Sequence, residues 1–112
     1  MHMGALAVIG SNKPKNMVHI VINNEAHETV GGMPTVSKSM DFVEIARGCG
    51  YPYATCVNTF EDLDVELKLA KDMKQLCLIE VKCSIGARSN LGRPTTTAIE
   101  NKKNFMEHLS DF

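Results

Sequence analysis

Three short apolar runs punctuate the chain at intervals that leave room for helices between them. Met17 to Ile22 is rich in β-branched residues, Tyr53 to Val57 alternates small and apolar positions, and Leu76 to Val81 is a Leu, Ile and Val run interrupted by Glu80. Runs of this length predict buried strands. Between them the spacing changes to that of helices. Phe42, Ile45 and Ala46 form the apolar side of a predicted helix from Asp41, its cap, to about Arg47, ended by Gly48-Cys49-Gly50. Leu63, Leu67 and Ala70 give the stripe of a second, over 60–73. Glu61, Asp62 and Asp64 lie toward its start and Lys68, Lys71 and Lys74 toward its end, as the helix dipole prefers.

A short helix is predicted at Met3–Ile9, stopped by Gly10-Ser11-Asn12 and Pro14 and apolar nearly all round, which suggests burial between layers. A last helix is predicted from Ala98 to Leu109, with Thr97 as cap and Glu100 as capping-box partner. Two long loops remain, 23–39 and 84–97. Loops of that length in a small domain are usually functional or disordered. Strands alternating with helices predict an α/β fold: a three-layer parallel sheet with helices on both faces and right-handed crossovers. Three strands make a thin sheet, so an exposed edge is expected.

The 112 residues allow one small domain. A net charge of -1 and few aromatic residues give no basis for nucleic-acid binding. No apolar run is long enough to span a membrane, and no basic segment followed by an apolar core suggests a signal peptide. Cys49, Cys56, Cys77 and Cys83 form no Cys-x-x-Cys pair. They read as reduced, mostly buried thiols of a cytoplasmic protein.

Where the first strand ends, the chain turns polar at Asn23-Asn24 and enters a loop hinged by Gly31-Gly32 and Pro34. Ligands of open α/β sheets bind just beyond the carboxyl ends of strands. Two Asn side-chain oxygens and a backbone carbonyl there are neutral, hard ligands suited to a magnesium ion that also holds a phosphate. The same pair also suits a plain turn, because Asn tolerates left-handed backbone and bonds its own chain locally.

Asn23-Asn24-Glu25-Ala26-His27-Glu28-Thr29-Val30-Gly31-Gly32-Met33-Pro34-Thr35 resembles the second half of the thiamine diphosphate motif of 2-oxo acid decarboxylases. The version is that of phosphonopyruvate decarboxylases, with sulfopyruvate decarboxylases as near relatives. Met1 to Ala7 and Leu91-Gly92-Arg93-Pro94-Thr95-Thr96-Thr97 resemble the same family. The resemblance implies thiamine diphosphate and Mg2+ as cofactors. It implies Asn24 and the backbone carbonyl of Ala26 as metal ligands, Asn23 shaping the turn or touching the diphosphate, and the helix at Met3 lying with its N-terminus beside the diphosphate. His27 and Glu28 become candidate catalytic groups, His27 for proton transfer near neutral pH. Arg88 and Arg93 carry forks suited to a substrate phosphonate or sulfonate, although an Arg in a Gly-rich loop also serves as a plain surface or ion-pairing residue.

The implied reaction is decarboxylation of 3-phosphonopyruvate to phosphonoacetaldehyde and CO2, with sulfopyruvate as the alternative substrate. In the family the motif opens with Gly-Asp-Gly, whose Asp binds the metal, and no Gly-Asp-Gly occurs here. The activating Glu belongs to a separate pyrimidine-binding domain or subunit. The expectation is therefore a single partial diphosphate-side domain over 1–112, inactive alone, that works in a homo- or hetero-oligomer. A truncated, non-catalytic α/β interaction module is the alternative.

Overall fold

The computed structural model describes residues 3–110, so Met1 and His2 of the family-like segment lie outside it. The order is α1 (Gly4–Asn12), β1 (Val18–Asn23), β2 (Ala26–His27), β3 (Met33–Pro34), α2 (Phe42–Gly48), β4 (Tyr53–Val57), α3 (Phe60–Met73), β5 (Cys77–Lys82) and α4 (Ala98–Ser110). The main sheet is parallel with order β1-β5-β4. β5 lies in the middle, which is why Leu76, Cys77, Leu78 and Ile79 are almost wholly buried.

Alternation along β5 builds two cores. Leu76 and Leu78 face a cluster made with Leu6 of α1, Ala46 of α2, Tyr51 and Ala54. Cys77 and Ile79 face the other way, against Ala70 of α3 and Val57. Helices therefore cover both faces, as the sequence predicts. The connection from β1 to β4 and the connection from β4 to β5 run in opposite directions across the sheet, so crossovers of one hand place their helices on opposite faces.

Several expectations need correction. α1 does not stop at Gly10 but runs to Asn12 and closes on Lys13 in the left-handed region. Gly10 serves packing: a Cβ there would lie 2.0 Å from the Cys49 carbonyl oxygen. Nor is α1 buried all round, since Val8 is exposed and only Leu6 and Gly10 are buried. The 23–39 segment is structured, with a two-residue hairpin, β2 against β3, and two 3-10 turns. The thiols are not mostly buried: Cys56 and Cys83 are exposed, Cys49 is intermediate and Cys77 alone is buried. Cys56 lies on edge strand β4, Cys83 just beyond β5 and Cys49 at the end of α2, whereas Cys77 lies in the central strand.

The caps form as expected. Asp41 accepts from Glu44 N at 2.9 Å. Thr97 and Glu100 make the reciprocal capping box, with Glu100 accepting from Thr97 N at 2.7 Å and Thr97 from Glu100 N at 3.2 Å.

Coverage is uneven. Val18, Ile20 and Ile22 of edge strand β1 are exposed, and every residue of α4 is exposed, including Ile99, Phe105, Met106 and Leu109. The radius of gyration of 16.6 Å exceeds the value of about 13 Å for a compact chain of roughly this size. Among the described residues, no helix is long and apolar enough to cross a membrane.

Candidate functional site

A cleft of about 460 Å³ opens at the carboxyl end of β1 and takes in Met3, Asn23, Asn24, Ala26 and His27. All four expected cofactor-binding residues and one of the two candidate catalytic residues therefore come together. The loop between β1 and β2 does this. Glu25 sits in the left-handed region at φ 58°, and two consecutive Asx bonds hold it there. Asn23 Oδ1 accepts from Glu25 N at 3.0 Å, and Asn24 Oδ1 accepts from Ala26 N at 3.1 Å. The turn reading and the ligand reading are thus compatible, because an amide oxygen has two acceptor positions and each turn bond uses one.

Asn23 is itself buried, and its orientation comes from the centre of the sheet. Its Nδ2 donates to Glu80 Oε1 at 2.6 Å, with both residues more than nine-tenths buried. Glu80 is the residue that sequence reasoning passed over. The available signal was a carboxylate inside an otherwise apolar central strand, a placement that demands a partner. On its other side Glu80 is a hydrogen-bond partner of Cys56, whose thiol is pushed above its usual range by burial first and by that carboxylate second.

Ala26 pairs across the hairpin with Pro34, which has no N–H, so its carbonyl receives no ladder bond from that partner. An Asn oxygen and a peptide carbonyl two residues apart are the kind of neutral pair that suits a hard cation. Among the described residues no three His, Cys, Asp or Glu side chains group as metal ligands. The first turn of α1, next to this cleft through Met3, carries no acidic residue to repel an anion.

Glu28 lies just outside the cleft. Its Oε2 accepts from Asn24 Nδ2 at 2.6 Å and its Oε1 from Gly86 N at 2.7 Å. Arg88 and Arg93 are exposed and do not line the cleft. Their loop leaves β5 at Cys83, whose N donates to Asn23 O at 3.0 Å, and reaches the site again through Gly86.

Residues 1–81 match the C-terminal TPP-binding domain of thiamine pyrophosphate enzymes. The chain is 32% identical over 110 residues to the phosphonopyruvate decarboxylase of Streptomyces viridochromogenes, covering 98% of this chain and 28% of that protein. The corresponding enzyme of Streptomyces hygroscopicus is 30% identical over 111 residues, with 99% and 28% covered. The sulfopyruvate decarboxylase subunit beta of Methanocaldococcus jannaschii is 29% identical over 110 residues, with 97% and 57% covered. The chain thus spans little more than a quarter of the phosphonopyruvate decarboxylases and just over half of the beta subunit. The family match takes in most of the chain and contains the whole cleft: this chain belongs to the thiamine pyrophosphate enzymes, within their C-terminal TPP-binding domain.

Proposed function

We propose that residues 1–112 form part of the diphosphate-side domain of a thiamine diphosphate- and Mg2+-dependent decarboxylase acting on 3-phosphonopyruvate. The observation that carries this reading is the convergence of Met3, Asn24 and Ala26 on one cleft at the carboxyl end of a parallel strand. The residues fit the diphosphate end of the cofactor. Asn24 Oδ1 retains an acceptor position, the Ala26 carbonyl faces a partner without an N–H, and nothing acidic stands in the first turn of α1. Asn24 and Ala26 would hold the Mg2+, and the amides at the start of α1 would favour the diphosphate.

When bound, the cofactor supplies the electron sink for the electron pair left by departing CO2. This chain's part is to anchor and orient. Asn23, fixed by Glu80, sets the turn that presents Asn24. His27 lines the same cleft, where its imidazole would hold or move a proton. Arg88 and Arg93 would contact the phosphonate. Activation of the cofactor would come from a pyrimidine-side domain or subunit. The uncovered Val18, Ile20 and Ile22 and the exposed α4 support work within a larger assembly.

Sulfopyruvate is the second reading, favoured by the larger share of the sulfopyruvate decarboxylase beta subunit that the chain covers. CO2 release from each substrate, measured with the chain alone and joined to a pyrimidine-side domain, tests both readings. Turnover of 3-phosphonopyruvate is expected only in the joined protein and is lost in Asn24→Ala. Preference for sulfopyruvate would shift the assignment, and turnover of neither by the joined protein would contradict it.

A further inference from the structure

We propose that Glu28 is a positioning residue that fixes the orientation of the Asn24 side-chain amide and, with the same carboxylate, clasps the 83–97 loop to the site. The role in cofactor binding rests on the function proposed above; the clasp itself rests on geometry.

An ionised carboxylate only accepts hydrogen bonds. With Glu28 Oε2 held 2.6 Å from it, the Asn24 amide must present its nitrogen there. Its oxygen is then turned toward Ala26 N at 3.1 Å, and both residues line the cleft. A hard cation needs that oxygen, and an amide flipped by half a turn would offer an NH2 group instead. Glu28 and the Ala26 N–H thus act together to decide which atom Asn24 offers, Glu28 from the nitrogen side.

The second oxygen of Glu28 reaches 58 residues along the chain to Gly86 N at 2.7 Å. Gly86 has φ 124°, a backbone conformation that side-chain-bearing residues rarely adopt, while nothing lies within 4 Å of where its Cβ would be. The glycine is thus required by the aim of its amide and not by lack of space. Arg88 follows two residues later, and its carbonyl accepts from Leu91 N at 3.2 Å, which turns the chain toward Arg93. One carboxylate so joins the Asn24 turn to the loop that carries both arginines.

The test compares wild type, Glu28→Ala, Glu28→Gln and Asn24→Ala by amide NMR. Glu28 is exposed, so its variants are expected to fold. In Glu28→Ala the Gly86 amide and the Asn24 side-chain NH2 resonances both shift, and Gly86 exchange with solvent quickens about fivefold. Asn24→Ala leaves Gly86 exchange slow, because Glu28 remains. Glu28→Gln has one acceptor for two donors, so it keeps one bond and loses the other. Magnesium with thiamine diphosphate is then titrated into each protein, and Glu28→Ala is expected to bind roughly tenfold more weakly than wild type. Unchanged Gly86 and Asn24 resonances in Glu28→Ala would overturn the clasp. Shifted resonances with equal binding by wild type and Glu28→Ala would overturn the positioning role. Absence of binding by wild type would count against the proposed function, while the resonances still decide the clasp.

Discussion

Replacing Asn23 by Ala should cost more than its place in a turn suggests, because it strands a carboxylate. Asn23 and Glu80 are 7% and 4% exposed, and their bond is 2.6 Å. Removing the amide leaves a buried charged acceptor short of a donor, at a cost of about 2 kcal/mol. The lower part of the range for charged groups applies, because Glu80 borders a polar cleft of about 390 Å³. Loss of the Asn23 Oδ1 bond to Glu25 N, which holds a left-handed residue, adds about 1 kcal/mol.

The sum of about 3 kcal/mol, with a urea slope of about 1.5 kcal/mol per molar, lowers the urea midpoint by about 2 M, read by circular dichroism. Glu80→Gln keeps an acceptor for Asn23 and should cost less than about 1 kcal/mol. The double variant Asn23→Ala with Glu80→Leu should be more stable than the sum of its parts by about 1 kcal/mol or more, since no charge is left unpaired. A loss below about 0.5 kcal/mol in Asn23→Ala, or strict additivity in the double variant, would refute the view that Glu80 and Asn23 stabilise each other.

Two further outcomes follow from other parts of the structure. Gly10→Ala drives a Cβ to within 2.0 Å of the Cys49 carbonyl oxygen, a backbone atom that cannot swing away, so α1 must shift off α2; a loss of about 3 kcal/mol is expected in the same denaturation assay. The Glu100 carboxyl is held below its ordinary value of 4.5 by the Thr97 N–H and then by the Thr97 hydroxyl. Its contribution to α4 is therefore complete above that value and is lost as pH falls through the depressed one, so α4 amides followed by NMR should stay protected at pH 5 and fray on further acidification; fraying that begins well above 4.5 would contradict this.

Much of the fold is legible where one segment carries its own signals. β4 and α3 lie where the sequence places them, because the small-apolar alternation of Tyr53–Val57 and the charge gradient over Phe60–Met73 are local properties. β1 and β5 each begin and end one residue later than predicted. The register decides this: Asn23 pairs with Lys82, and Cys83 N donates to Asn23 O at 3.0 Å, bonds that no local composition announces. Gly10 reads as a helix stop and acts as a contact with Cys49, since glycine meets both needs and only the neighbour distinguishes them.

The cleft residues Asn23, Asn24 and Ala26 were legible through chemistry and resemblance. The groups that orient them were not. Glu80 reaches Asn23 across 57 positions and Gly86 reaches Glu28 across 58, and pairing over such distances is a product of topology. The bare row of Val18, Ile20 and Ile22 was hidden for the same reason, because the pattern shows that a face is apolar but not what covers it.

The central claim is that the cleft at the end of β1 is a working cradle for the diphosphate end of the cofactor. Calorimetric titration of the purified chain with thiamine diphosphate plus magnesium, beside Asn24→Ala as control, tests it most directly. Weak but saturable binding that disappears in Asn24→Ala is the predicted result. Absence of binding in both proteins, or equal binding in both, would contradict the claim and leave the Asn pair as a turn alone.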